Sequence, residues 1–321
     1  MNLPYWPRLV CASLAVFFLL NGALGAAVSL VAEMSIRAVG RMKAARAARM
    51  LFVLRMVPCG VSALVVTCLC VPSYMWLEPA GVSERVGVWC LGAALAGAGV
   101  WAASAARAWG ALVRSWAYVR YFRAQGREVM VAEDGAPVWV VERGAPPVAL
   151  AGTVRPRVVV SEAVLGALSS AELSAALRHE RAHAAARDNL KRLCLLLAPG
   201  CLPGWRGLGK VERAWRRFAE WAADDSAAAR DERQSLCLAA ALVRVSRMNA
   251  GARPPVLASS LLGDGSDLQA RVERLLSGVP HESARGRGWR MACAGAAMMA
   301  AAMLQPVTLR LAHRLMEMLI E

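Results

Sequence analysis

Ser169-Ser170-Ala171-Glu172-Leu173-Ser174-Ala175-Ala176-Leu177-Arg178-His179-Glu180-Arg181-Ala182-His183 decides how this chain is read. Ser169 followed three residues later by Glu172 is a capping box and predicts a helix start. Leu173, Ala176 and Leu177 recur at helical spacing, and Glu180 and His183 continue the same inward stripe. A carboxylate and an imidazole on such a stripe are costly to bury without a partner. Residues four apart share one helix face, so His179 and His183 can bind one Zn²⁺ while Glu180 points at the water on that ion. The bland alternative is two solvated surface histidines beside a glutamate.

Around this helix the chain is built for a bilayer. Of its 321 residues 57% are hydrophobic and the mean hydropathy is positive, which excludes an ordinary soluble domain. Four stretches are long and apolar enough to cross a membrane, which takes roughly 20 residues each. They lie at about 9–32, 50–76, 86–106 and 289–309. A cleaved signal peptide is the alternative for the first, since Ala23-Leu24-Gly25-Ala26 resembles a cleavage site. The apolar run continues to Val31 and only Arg8 precedes it, which favours a retained helix. The reading is therefore a mostly α, multi-pass membrane protein. A membrane domain occupies residues 1–106, a small α+β cytoplasmic zinc domain 107–287, and a fourth span with a short amphipathic tail 288–321.

Charge orients these spans. The first inter-span loop carries Arg37, Arg41, Lys43, Arg46 and Arg49 against Glu33, whereas the second carries Glu78, Glu84 and Arg85. By the positive-inside rule the first loop is cytoplasmic, the second is outside, and the zinc domain faces the cytoplasm of an inner membrane. The net charge of +15 clusters beside spans, as expected for attraction to anionic lipid. A nucleic-acid footprint is the competing reading, but no reading-head motif accompanies the charge, so no direct nucleic-acid binding is expected. The nine cysteines show no CxxC spacing and read as free, packed thiols.

After the third span, Trp109, Trp116, Tyr118 and Tyr121 alternate with arginines in a stretch that reads as an amphipathic continuation at the interface. Strand-like runs follow at Val129–Val131, Val138–Val141, Val148–Leu150 and Arg157–Val160. Helices are expected from about Ser170 to Arg187, Lys210 to Arg230, Gln234 to Met248 and Leu268 to Leu276. Ala252–Asp267 reads as a loop, and Ser277–Gly288 as a tether to the last span.

A zinc site built on HExxH needs a third protein ligand. His281 falls in the tether and His313 beyond the last span, so both are poorly placed. Glu220 and Asp224 share one helical face in a largely apolar context, so Glu220 reads as the ligand with Asp224 behind it. The bland alternative is a pair of solvated helix carboxylates; Asp225 and Glu212 are weaker ligand candidates.

Residues 148–230 resemble the integral-membrane gluzincin peptidases of the BlaR/MecR type. The resemblance rests on Val148–Ser161 with Arg155-Pro156-Arg157, on the approach helix with His179-Glu180-Arg181-Ala182-His183 and Arg187-Asp188, and on Glu220 paired with Asp224. Three spans before the zinc domain and one after match that layout. Membrane proteases of the HtpX and CAAX-processing type share the signature. The departure is at the C-terminus: Arg310–Glu321 is a short tail, and neither Ser-x-x-Lys nor Lys-Thr-Gly occurs, so antibiotic sensing by acylation is not expected.

The resemblance implies metal-assisted peptide hydrolysis, with His179, His183 and Glu220 holding Zn²⁺ and Glu180 as general base. It also implies that an extended substrate adds to a sheet edge along Val148, Ala149, Leu150, Ala151 and Gly152. Arg271 and Arg274 are candidates for stabilising the oxyanion, against a purely salt-bridged role. The expected function is a regulatory endopeptidase acting at the cytoplasmic membrane surface on a repressor-like protein or on itself. The alternatives are an HtpX-like quality-control protease and a non-catalytic signalling scaffold.

Overall fold

A computed structural model of the chain describes residues 2–78, 84–130, 137–142, 147–200, 206–229, 231–248, 257, 259–260, 267–277 and 306–320. Three long helices make the membrane part. The first, α1, spans Tyr5–Val39. The second begins as α2 (Ala44–Val65), passes through a π-helical turn at Val66–Cys70 and ends as α3 (Val71–Leu77). The third, α4, runs unbroken over Val88–Gln125. All three are long and apolar enough to cross a membrane. Pro58 lies within α2, and its carbonyl accepts a hydrogen bond from Ser62 Oγ at 2.7 Å. Short strands β1 (Asn2–Leu3) and β2 (Glu84–Arg85) pair antiparallel at the end of the bundle where α1 and α4 begin.

At about 1.5 Å per residue α4 is about 57 Å long, well beyond a hydrocarbon core of about 30 Å. The stretch expected to lie along the interface is therefore the far end of this rod. Trp109, Trp116 and Tyr121 face outward, whereas Tyr118, Val119 and Phe122 pack onto a sheet.

That sheet comprises β3 (Arg127–Met130), β4 (Pro137–Val141), β5 (Val148–Ala151), β6 (Arg157–Ser161) and β7 (Ser259–Ser260), in the order β3-β4-β6-β5-β7. Only β4 and β6 are parallel. One face sets Val138, Val148, Leu150, Val158 and Val160 against helices; the other sets Val141, Ala151 and Val159 against the end of α4. Cover on both faces explains why all of β5 is buried and why these strands read as unbroken apolar runs.

Five helices lie between β6 and β7: α5 (Glu162–Ala167), α6 (Ser170–Ala186), α7 (Asp188–Leu197), α8 (Arg206–Ala228) and α9 (Glu232–Met248). Then come α10 (Leu268–Leu276) and, at the C-terminus, α11 (Pro306–Ile320). Ala175, Ala176 and Leu177 of α6 pack with Leu238, Leu242 and Val245 of α9 beneath the sheet.

The sheet-containing unit is joined to the bundle through α8. Val211, Ala214, Trp215, Phe218 and Ala219 bury against Ala32 and Val39 of α1 and Ala44, Ala47, Ala48 and Leu51 of α2. The helices approach tightly at Gly207, where an added Cβ would meet Ser29 Cα at 2.4 Å.

One sequence expectation changes, and two others fall outside the described residues. β5 is not the outermost strand, because β7 pairs with Ala149 and Leu150. The expected fourth span falls mainly on 289–305, and the tether with His281 on 278–288, both outside the described residues; positions 306–309 open α11.

Candidate metal centre

The capping box forms as its sequence implies. Ser169 Oγ accepts from the Glu172 backbone N–H, and Glu172 Oε2 accepts from the Ser169 N–H at 2.8 Å. This fixes the start of α6 and hence the facing of His179, Glu180 and His183, all fully buried. From α8, Glu220 and Asp224 arrive one turn apart on the face that meets α6.

The donor atoms converge. His179 Nε2 and His183 Nε2 are 3.2 Å apart, and each lies 3.6 Å from an oxygen of Glu220. A tetrahedral ion at about 2.0–2.1 Å from its ligands holds neighbouring donors about 3.3–3.5 Å apart. The three side chains therefore fit a Zn²⁺-sized ion with little movement, and they form a group able to hold a metal.

The outer nitrogens are also engaged. His183 Nδ1 lies 2.7 Å from Asp188 Oδ2, and Lys191 donates to the other Asp188 oxygen at 2.9 Å. His179 Nδ1 lies 3.0 Å from Asp224 Oδ1. A carboxylate behind each imidazole sets its tautomer so that Nε2 presents a lone pair. Arg271 grips Asp224 with two bonds, Nε to Oδ2 at 2.8 Å and Nη2 to Oδ1 at 2.7 Å, and lies 3.3 Å from Glu220.

Protonation follows from this clustering. Burial alone would depress both histidines, but Asp224 and Glu220 hold His179 above the ordinary imidazole range. Glu220 and Asp188 push His183 up to about 10. Burial would raise the carboxylates, yet His183, His179 and Arg271 hold Glu220 well below its usual range, and Arg271 with His179 brings Asp224 to about 2. The carboxylates therefore stay ionised and favour positive charge at the paired imidazoles, whether a proton or a metal ion.

The weaker ligand candidates are committed elsewhere. Asp225 forms a two-bond pair with Arg274, and Glu212 pairs with Arg216 at 2.6 Å. Arg271 and Arg274 take the salt-bridged role. His313 lies at the other end of the bundle, beside Glu78.

Three residues with a place in the site escaped sequence reasoning in that role. Asp188 was legible only as part of Arg187-Asp188. Asn189 donates from Nδ2 to the carbonyls of Leu150 at 3.2 Å and Gly152 at 2.8 Å, tying α7 to β5. Gly152 has φ +98°, a conformation that L side chains rarely adopt. The Tyr118 hydroxyl, brought in by α4, is buried without a hydrogen-bond partner among the described residues and stands in the field of Glu180.

Residues 127–251 match the model of peptidase family M48. That stretch contains α6, α8, the three candidate ligands, Glu180, Asp188 and Asp224, while Tyr118 and Arg271 lie outside it; this part of the chain is thus similar to a family of metal-dependent proteases that usually use zinc. No curated protein is significantly similar to the chain.

Proposed function

We propose that the chain is a membrane-anchored zinc endopeptidase, with His179, His183 and Glu220 holding the ion and Glu180 as general acid–base. The convergence of the two Nε2 atoms and Glu220, with the Glu180 carboxylate buried on the same helix, carries this reading. When bound, zinc would polarise the scissile carbonyl and acidify a water. Glu180 takes a proton from the attacking water and delivers it to the leaving amine. Asp188 and Asp224 hold the imidazoles in place, and Arg271 keeps Asp224 and Glu220 ionised.

The catalytic side is the cytoplasm in this reading. The basic residues Arg37, Arg41, Lys43, Arg46 and Arg49 lie at the α1–α2 turn, the end of the bundle that α8 grips. A fourth crossing is supported by the position of α11. Its Met316 and Ile320 pack with Leu9, Tyr74 and Cys90 at the opposite end, so the chain between 277 and 306 connects the two ends.

The preferred target is a cytosolic repressor-like protein, or the chain itself. Self-cleavage within Ala252–Asp267 gains support from β7, which lies antiparallel along β5 in the lane Val148–Gly152 suggested for an extended substrate. A second reading, quality control of membrane proteins, is favoured by the reach of α8 to Ser29, just inside the first span expected at 9–32.

The test is Glu180→Gln in the full chain purified in detergent. Zinc should stay near one ion per chain at the catalytic centre, while hydrolysis of a fluorogenic peptide or casein falls by about 10²–10⁴-fold. Undiminished hydrolysis would overturn the reading.

A further inference from the structure

A second constellation at the far end of the bundle has the makings of a metal site. Glu78 ends the second membrane helix, just past α3, and α11 brings His313 and Glu317, one turn apart, onto it. His313 Nε2 lies 3.5 Å from Glu78 Oε2 and 3.3 Å from Glu317 Oε1. These are the separations a tetrahedral ion at about 2.0–2.1 Å imposes on its donors, and they match those at the catalytic centre. The three side chains form the other group among the described residues able to hold a metal.

Burial and charge favour a cation there. The Glu78 side chain is 7% exposed and that of His313 13%, so two of the three donors are already largely desolvated, while Glu317 is about half exposed and leaves a path to solvent. Buried Arg8 binds the other oxygen of Glu78 and, through Nε, the Tyr74 hydroxyl at 2.6 Å. Arg8 thus neutralises one carboxylate and fixes it with Oε2 turned toward His313. The charge of Glu317 is left to be balanced from outside the cluster.

We infer that Glu78, His313 and Glu317 form a second divalent-cation site, of Zn²⁺ type, that fastens the C-terminal helix to the end of the second membrane helix. One nitrogen and two carboxylate oxygens suit Zn²⁺ with a position left for water. The site is weaker than the catalytic one for two reasons. Arg8 repels the ion, and His313 Nδ1 has no hydrogen-bond partner among the described residues, unlike Nδ1 of His183, which Asp188 backs at 2.7 Å. An exchangeable ion at this place would report local zinc to the bundle whose other end carries the peptidase unit.

The measurement is zinc per chain on the full protein in detergent, equilibrated across a buffered micromolar Zn²⁺ series. Wild type should load in two steps, and His313→Ala should lose only the weaker one. His183→Ala should lose only the tighter one, so the two sites fail independently. A His313→Ala protein that keeps the tight zinc is thereby shown to be folded. Should it lose both, Glu317→Gln at the exposed position decides: it should weaken the second step at least about tenfold, as lost outer partners already do. A single loading step in wild type, or a second step untouched by both His313→Ala and Glu317→Gln, overturns the site.

Discussion

Asp188 shows how a single residue can matter without touching the ion. It sits at the first position of α7, immediately after Arg187, whose left-handed φ of 56° turns the chain sharply out of α6. That turn returns the carboxylate to His183, five residues earlier, where it accepts from Nδ1 while Lys191 supports its other oxygen. Asp188→Asn keeps the shape but can present an N–H where the imidazole needs an acceptor. Zinc affinity at the catalytic centre should fall about 10–100-fold, read as zinc retained against a graded chelator. Glu220→Ala should strip the ion as fully as His183→Ala does, whereas Asp225→Ala, removing only a partner of Arg274, should leave zinc in place. Full zinc in Glu220→Ala would reassign the third ligand.

At the scale of elements, the parts legible in the sequence are those whose local signal agrees with their surroundings. The capping box at Ser169 and Glu172, the strands of the doubly covered sheet and the pairing of Glu220 with Asp224 are of this kind. What escaped depends on partners distant in sequence. β7 is two serines, a composition with no strand signal, and it exists because β5 offers an edge. The inward face of α4 near Tyr118 could not be chosen from an aromatic and arginine-rich stretch, since both faces carry rings. The docking of α8 on α1 was hidden because an apolar face carrying Trp215 and Phe218 could equally have belonged to the core under the sheet, and because one glycine lets the helices touch. Gly207 is there to let the helices touch, so Gly207→Leu should force α8 away from Ser29. The loss should lower the apparent melting temperature in detergent by several degrees, the size expected for a core overpacked by about 1–3 kcal/mol. An unchanged melting temperature would mean that α8 is free to slide and that the interface is not tightly packed.

The whole molecule places two polar clusters at opposite ends of the same three helices. The helix Ala44–Leu77 touches α8 near its start and α11 near its finish, and α1 touches the same two helices in the opposite order, so both join the two ends. In the proposed reading, charge decides which end faces the cytoplasm. The α1–α2 turn is strongly basic, and after it the end of α4 adds Arg107, Arg114, Arg120 and Arg123 on the same side. Each Lys or Arg held near an anionic leaflet is worth about 1 kcal/mol, so the bias is far larger than the three charges at Glu78, Glu84 and Arg85 could reverse. Reporter fusions after Arg49 and after Arg127 should therefore be active only as cytoplasmic reporters, and an insertion near Glu84 only as an external one. A fusion after Glu321 should report the outside if the chain crosses once more between α10 and α11. A cytoplasmic signal there, with the other three as expected, would leave three crossings and require α11 to reach Glu78 by another route. An external signal after Arg127 would put Glu180 on the far side of the membrane and remove cytosolic proteins from its reach.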